Sequence, residues 1–313
     1  MNQSNLTRGY STAVISAAIL STTAIFIRHL TEEYDLPPMI LAFWRDGFVA
    51  ITLLVVLGGV RPALLKVERR QLGYLAGYGF MLAIFNSLWT LSVALNGAAV
   101  ATVLAYSSAG FTALLGWWLL NERLDGAKLL AVGVSLSGCA LVAGAFDPSA
   151  WNSNLAGIVM GLLSGLSYAT YTLLGRNASQ RGLSPWTSLI YIFSFATVYL
   201  MLFNLAWSPD EFFHLGHAAA GWGVLFLLAA GPTVLGFGLY NLSLTYLPSS
   251  VVNLIVTMEP AFTAVFAYFL LHERLTSTQI AGSLILLGSI VFLRIYEGRV
   301  AAFQAQRIES AGV

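Results

Sequence analysis

Charge is what this chain lacks most. Of 313 residues only 9% are charged and 58% are apolar, whereas a soluble domain carries roughly a quarter charged residues. So few charges cannot coat a globular surface of this size, and lipid is the expected outer solvent. Lysine is almost missing: Lys66 and Lys128 lie outside or at the edge of the apolar runs, which excludes a buried retinal Schiff base. Cysteine is reduced to Cys139, inside an apolar run, which excludes a disulfide framework and a Cys-rich metal site. There is no His-Glu-x-x-His and no P-loop, and His29, His214, His217 and His272 fall near the ends of apolar runs or between them. An enzyme, a cofactor and a metal are therefore not expected. The net charge of +1 gives no reason to expect nucleic acid as a partner, and no repeated filter or charged ring marks a channel.

What is present is a series of apolar runs near twenty residues long, each bounded by charge or by Gly and Pro. They fall at about 11–30, 38–58, 72–94, 98–120, 127–146, 155–175, 185–207, 221–245, 249–271 and 278–296, which makes ten expected spans. The opening MNQSNLTRGY runs into the first of them with no small-residue cleavage site, so a spanning helix is expected there rather than a signal peptide. Connections such as Asn96-Gly97 and Leu247-Pro248 are short enough to force antiparallel hairpins. Only 59–71 and 208–220 leave room for loops of any size.

Residues 88–124 align without a gap on 239–275 at a constant offset of 151, and eight of fourteen positions agree between Phe111–Leu124 and Phe262–Leu275. Apolar helices share Leu and Ala by chance, but not the Glu-Arg-Leu triplet that ends both stretches. A tandem duplication is expected, with repeats at 10–146 and 155–296 joined in one membrane domain. Basic residues then orient it. Arg8, Arg61, Lys66, Arg69, Arg70, Arg123, Lys128, Arg176, Arg181, Arg294, Arg299 and Arg307 fall on one face, and only Arg28 and Arg274 on the other. Both termini are expected in the cytoplasm of a bacterial inner (plasma) membrane. Five spans per repeat is an odd number, so the second copy enters upside down, with Asn121–Leu124 inside and His272–Leu275 outside. The expected fold is an all-α membrane protein of ten transmembrane helices, built as two inverted five-helix repeats around a central cavity. That is the geometry of alternating access.

Five plus five spans with Phe-x-Ala-x-x-x-x-x-x-Leu-x-Glu-Arg-Leu closing the fourth helix of each half resembles the drug/metabolite transporter superfamily, EamA branch. Glu259-Pro260-Ala261-Phe262 matches that family's Glu-Pro-x-Phe in the ninth helix. The likeness runs from about residue 10 to 296. The chain length, the Trp-rich first half and Trp44-Arg45 in the second helix look most like the YddG-type exporters of aromatic amino acids. The family's first half often carries Pro in its fourth helix. Here Ser108-Ala109 stand opposite Glu259-Pro260, so a symmetric kink has no proline to make it in the first half. Sugar-phosphate and nucleotide-sugar carriers of the superfamily should need buried Lys/Arg clusters to match phosphate, and no such cluster lies in mid-span.

Charges inside the spans are few, and each is a candidate. Glu259 sits eleven residues into the ninth run, and Pro260 leaves the Val256 carbonyl without its intrahelical donor, a gating or kink position. A carboxyl beside a freed carbonyl suits a proton or cation coupling site; the plainer reading is a neutral Glu that glues helices by one hydrogen bond. Arg45 and Asp46 lie roughly 10 Å into the second helix at 1.5 Å per residue. As neighbours in a helix they point about 100° apart and are not expected to pair. Arg45 is read either as an anchor for a substrate carboxylate or, with more weight, as a structural residue bonded to His29 or a helix end.

Aromatic and small polar residues recur at helical spacing: Tyr78, Phe85, Trp89 and Ser92; Thr102 and Tyr106; Ser164, Tyr168 and Tyr171; Thr233, Phe237 and Tyr240; Asn253 and Thr257. The offset of 151 pairs Trp89 with Tyr240, Thr102 with Asn253 and Tyr106 with Thr257. Such pairs suggest one cavity shared by both halves, although ordinary packing also makes stripes. The expected substrate-binding residues are Tyr78, Asn86, Trp89, Thr102, Tyr106, Tyr168, Tyr171, Tyr240, Asn241 and Asn253. Trp117, Trp118, Trp151, Trp186, Trp207 and Trp222 read as an interfacial belt. Gly157, Gly161 and Gly165, and likewise Gly73 and Gly77, offer faces for close helix packing. An apolar, aromatic and weakly polar cavity suits a small amphipathic or planar cation or zwitterion. The expected function is export of such metabolites, aromatic amino acids first and planar cationic drugs after them. The alternatives are a channel-like facilitator, a lipid scramblase or a carrier of another small metabolite. The expected partners are a small-molecule substrate and the lipid bilayer, with the protein a monomer.

Overall fold

A computed structural model describes residues 3–142, 154–207, 209–271 and 276–310. Every regular element among them is helical. In hydrocarbon each backbone N–H and C=O must be paired within its own segment, so long apolar runs become helices. In chain order these are α1 (Gln3–Ser21), α2 (Thr23–Glu33), α3 (Pro38–Val60), α4 (Arg69–Tyr106), α5 (Ser108–Leu120), α6 (Gly126–Val142) and α7 (Leu155–Gln180). They are followed by α8 (Pro185–Trp207), α9 (Ala219–Leu228), α10 (Val234–Tyr246), α11 (Ser249–Val256), α12 (Glu259–Leu271) and α13 (Ser277–Ser310). Among the described residues nine helical segments are long and apolar enough to cross a membrane, and Gly126–Val142 is apolar but shorter. Leucine, valine and isoleucine cover the outside as well as the core: Leu53 is buried in α3 while Val55 and Val56 are exposed. This is a multi-pass membrane protein.

The expected runs reappear, but four of them are interrupted. The first breaks at Thr22, where Ser21, Thr22 and Thr23 each turn a hydroxyl onto a carbonyl three residues back, at 2.5–2.7 Å. Such back-bonding competes with the helix ladder. The eighth run passes through a π-helical turn, Ala229–Thr233, around Pro232, because a proline inside a helix forfeits one donor and needs the extra backbone. The ninth breaks between Val256 and Glu259, where Thr257 N and Met258 N bond carbonyls three residues back. Pro260 thereby lands in the first turn of α12, where its missing N–H costs nothing. The fourth run breaks at Ser107, and α5 resumes at Ser108, 151 residues before α12 resumes at Glu259. The missing proline of the first half does not keep its helix straight. Ser107 makes the same tight turn, its N–H and hydroxyl both directed at the Leu104 carbonyl.

Helical hydrogen bonding continues through Arg69–Tyr106, yet this segment folds back. A β-carbon on Gly161 would meet both Ser92 Oγ and Leu104 Cβ at 2.8 Å. A straight helix would hold those residues about 18 Å apart. The chain therefore reverses between them, as the short Asn96-Gly97 connection requires. Gly161 and Gly165 on α7 are the glycines that admit this hairpin, since a β-carbon on Gly165 would lie 2.6 Å from Ser107 Oγ. Gly73 and Gly77 differ from expectation: a β-carbon there would meet no neighbouring element, and Tyr74 and Tyr78 on the same turns make the packing instead. The interfacial belt also divides. Trp117, Trp118 and Trp207 are exposed, whereas the Trp186 ring lies over Gly238 and Trp222 packs edge-on against Trp44. Trp151 and the His272–Leu275 segment lie outside the described residues.

Candidate functional site

All four interruptions face one cavity of about 420 Å³. Thr23 comes from the first break, Thr233 from the π-turn, Tyr106 from the end of α4, and Glu259 and Pro260 from the start of α12. Phe85, Trp89, Tyr168 and Phe237 form aromatic walls, and Arg45 and Asn86 enter from α3 and α4. The lining reaches Ile27, Val142 and Gln279, which mark one end of the bundle. Interrupted helices are tolerated at membrane depth where they line a cavity, and they bring backbone dipoles and polar side chains to a site straight helices would leave apolar.

The polar groups of the site are tied to one another. Tyr106 donates its hydroxyl to Glu259 Oε2 at 2.7 Å, joining the two halves of the chain. Glu259 stands at the first position of α12, where the positive end of a helix dipole favours a carboxyl group. Arg45 pairs with its own neighbour, Nε to Asp46 Oδ1 at 3.0 Å and Nη2 to the same oxygen at 2.9 Å. The expectation that adjacent helical residues diverge too far to pair is corrected here, because the long, flexible Arg45 side chain reaches the neighbouring carboxylate. The fully buried Asp46 takes a further bond from Asn86 Nδ2 at 3.1 Å.

Of the expected binding residues, Asn86, Trp89, Thr102, Tyr106 and Tyr168 line the cavity together with Glu259 and Pro260. Tyr78, Tyr171, Tyr240, Asn241 and Asn253 do not. They are buried in a hydrogen-bonded layer beyond it. There Tyr78 donates to Asn241 Oδ1 at 2.9 Å, Asn241 Nδ2 donates to the Tyr171 hydroxyl at 3.2 Å, and Asn253 Nδ2 donates to Thr172 Oγ1 at 3.0 Å. The Tyr240 hydroxyl and Thr172 Oγ1 are hydrogen-bonded at 2.6 Å. The pairs from the repeat are thus split: Trp89, Thr102 and Tyr106 face the cavity, while Tyr240, Asn253 and Thr257 are wholly buried. Each copy does different work in this conformation. Ser21, Thr23, Thr263 and Gln279 were not signalled by charge or aromaticity; the Ser21-Thr22-Thr23 run, a sign of a loosened helix, points to the first two.

Farther from the cavity the bundle is closed. Glu122, after the left-handed Asn121 that ends α5, reaches the start of α11 and gathers four donors. Ser249 N and Oγ bond its Oε1 at 2.6 and 2.7 Å, and Ser250 N and Oγ bond its Oε2 at 3.2 and 2.8 Å. The first N–H groups of a helix have no partner of their own, and a carboxylate satisfies them and the helix dipole together. Nearby, Arg176 Nη1 donates to the Leu244 carbonyl at 2.6 Å.

A bundle of apolar helices, broken at a shared cavity with aromatic walls and a few polar groups and closed at one end, defines a membrane transporter. The chain belongs to the EamA-like transporter family, whose pattern matches residues 7–144 and again 155–295. An uncharacterized transporter of Archaeoglobus fulgidus is 26% identical over 91% of this chain and 96% of its own. A probable amino-acid metabolite efflux pump of Escherichia coli is 25% identical over 81% and 84%. The threonine/homoserine exporter RhtA of Salmonella typhimurium is 25% identical over 74% of each chain. A crystal structure 14% identical in sequence shares the fold, with a TM-score of 0.77 over 96% of this chain and 99% of that one.

Proposed function

We propose that this protein exports small amphipathic metabolites from the cytoplasm, amino acids and above all aromatic ones, by alternating access between two inverted five-helix halves. The observation that carries this reading is the cavity itself: four interrupted helices surround it, and the buried layer of Tyr78, Tyr171 and Tyr240 bars its way to the other end. A channel or scramblase needs a continuous path, which that layer interrupts. With the basic face inward, the closed end is cytoplasmic and the cavity faces out, the state in which an exporter releases cargo. The matched family pattern on each half and the breaks at Ser107 and at Thr257-Met258 support a duplicated unit. The names of the efflux-pump and exporter relatives support amino acids as cargo. The rings of Phe85, Trp89, Tyr168 and Phe237 support an aromatic side chain. Glu259, facing the cavity with Tyr106 on one oxygen, is the candidate coupling site for a proton or cation. The test is counterflow in proteoliposomes loaded with unlabelled L-phenylalanine. Saturable accumulation of labelled L-phenylalanine, competed by other aromatic amino acids, is expected, and a non-saturable leak would overturn the carrier reading.

A further inference from the structure

The cavity holds one charge of each sign. Among the described residues that line it, Arg45 is the only basic side chain and Glu259 the only acidic one. Arg45 is not merely buried structure: its side chain is 12% exposed, whereas that of Asp46 is 0% exposed. Asp46 therefore lies behind the guanidinium, and Asn86 holds the other carboxylate oxygen at 3.1 Å. A guanidinium has five N–H donors in a fixed plane. Two are directed at Asp46, and the rest leave that contact. Asp46 offsets the Arg45 charge, so attraction at this pole comes from directed donors, which match a planar carboxylate as a fork. At the other pole Tyr106 occupies one acceptor position of Glu259, and a carboxylate offers about four. A cation alone leaves the Arg45 donors unmatched, and an anion alone meets Glu259. A molecule that carries both groups offers a partner to each pole, and the rings of Phe85, Trp89 and Phe237 line the same cavity.

Resting on the exporter reading, we propose that Arg45 and Glu259 are the two poles of a site for α-amino acid zwitterions. Arg45 receives the carboxylate and Glu259 the ammonium group. Asp46 and Asn86 are positioning residues that hold the guanidinium in the cavity wall.

Binding to the purified full-length protein in lipid nanodiscs tests this with four probes: L-phenylalanine, L-threonine, phenylethylamine without the carboxylate, and N-acetyl-L-phenylalanine without the ammonium. The unmodified protein is expected to bind L-phenylalanine about tenfold or more tightly than either truncated probe, the scale of one hydrogen bond to a charged group. Arg45→Met should reduce L-phenylalanine to the level of phenylethylamine and leave phenylethylamine unchanged. Glu259→Gln should erase the preference over N-acetyl-L-phenylalanine. Asn86→Ala should weaken both amino acids without altering phenylethylamine. Equal affinity of the unmodified protein for the zwitterion and the amine overturns the proposal without needing any variant, as does binding of none of the four. Counterflow separates the two readings. L-phenylalanine counterflow that is indifferent to Arg45→Met removes the poles and keeps the exporter, while no counterflow of any probe by folded protein removes the exporter itself.

Discussion

At the scale of the residue, the cavity separates groups that the sequence could only rank together. Trp89 lines it and Tyr240 does not, so their substitutions should behave differently. Trp89→Ala is expected to lower transport of aromatic amino acids several-fold more than that of threonine, since one stacking partner contributes about 0.5–1.5 kcal/mol beyond area burial. Equal losses would reduce the ring to a packing role. Tyr240→Phe keeps the ring and removes the hydroxyl bonded to Thr172. It should lower stability by about 1 kcal/mol, readable as a drop in thermal midpoint, and change all substrates alike. Glu259→Gln should keep the fold and abolish the pH dependence of transport; Tyr106 on one carboxylate oxygen, with Tyr168 and Cys139 near enough to feel its charge, are the titratable groups around it, and Arg45 is the basic residue of the same cavity. An unchanged pH profile would return Glu259 to the role of helix glue. Glu259, Tyr106 and Trp89 were legible because aromatic and charged residues stand out in an apolar run, and Thr102 because the offset of 151 sets it opposite Asn253. The cavity role of Ser21 and Thr23 was not, because a single small hydroxyl is cheap in any helix and only the run of three hints at a loosened one. Arg45-Asp46 misled for another reason: helical geometry fixes where Cβ points, not where a long side chain ends.

At the scale of the element, the spans were legible and their breaks were not. Hydropathy reports which segments sit in lipid, and a sliding sum over twenty residues averages out a local contest between a hydroxyl and the backbone ladder. Pro260 is the visible half of one such break, yet Ser107 makes the corresponding turn with no proline. Proline is therefore not what breaks the fourth and ninth runs. Pro260→Ala should leave the fold and the cavity intact and change stability by less than about 1 kcal/mol. Loss of substrate binding on this substitution would mean that the proline, and not the tight turn before it, sets the site. The packing of α6 on α13 was equally hidden. Gly138 and Gly282 oppose each other so closely that a β-carbon on either would come within 3.0 Å of the other's carbonyl. Neither belongs to the glycine series that the sequence advertises.

At the scale of the whole molecule, the orientation rests on where the basic residues fall, and Cys139 is buried, so introduced cysteines can be labelled selectively. Arg181→Cys should react from the cytoplasm and His214→Cys from outside, and reaction of both from one side would undo the topology. The Glu122 contact holds the closed end of the bundle together. It gathers four donors from Ser249 and Ser250, and a β-carbon on Gly116 would come within 2.9 Å of its carboxylate. The residues 151 places away are Ala98, Ala99, Glu273 and Ala267. Glu273 lies outside the described residues, but the sequence has Ala98 and Ala99 where the two serines stand, so a corresponding latch at the other end would lack their hydroxyls. At about 1.5–3 kcal/mol per hydrogen bond to a charged group, two fewer hydroxyls would make an alternating cycle lopsided. If the two halves alternate as proposed, the outward-facing state is expected to be the more stable one and unlatching Glu122 the step that sets turnover. Replacing Ser249 and Ser250 together by Ala should then raise the maximal export rate and expose a cysteine placed at Thr245 to cytoplasmic label; a rate that stays the same would locate the slow step elsewhere in the cycle.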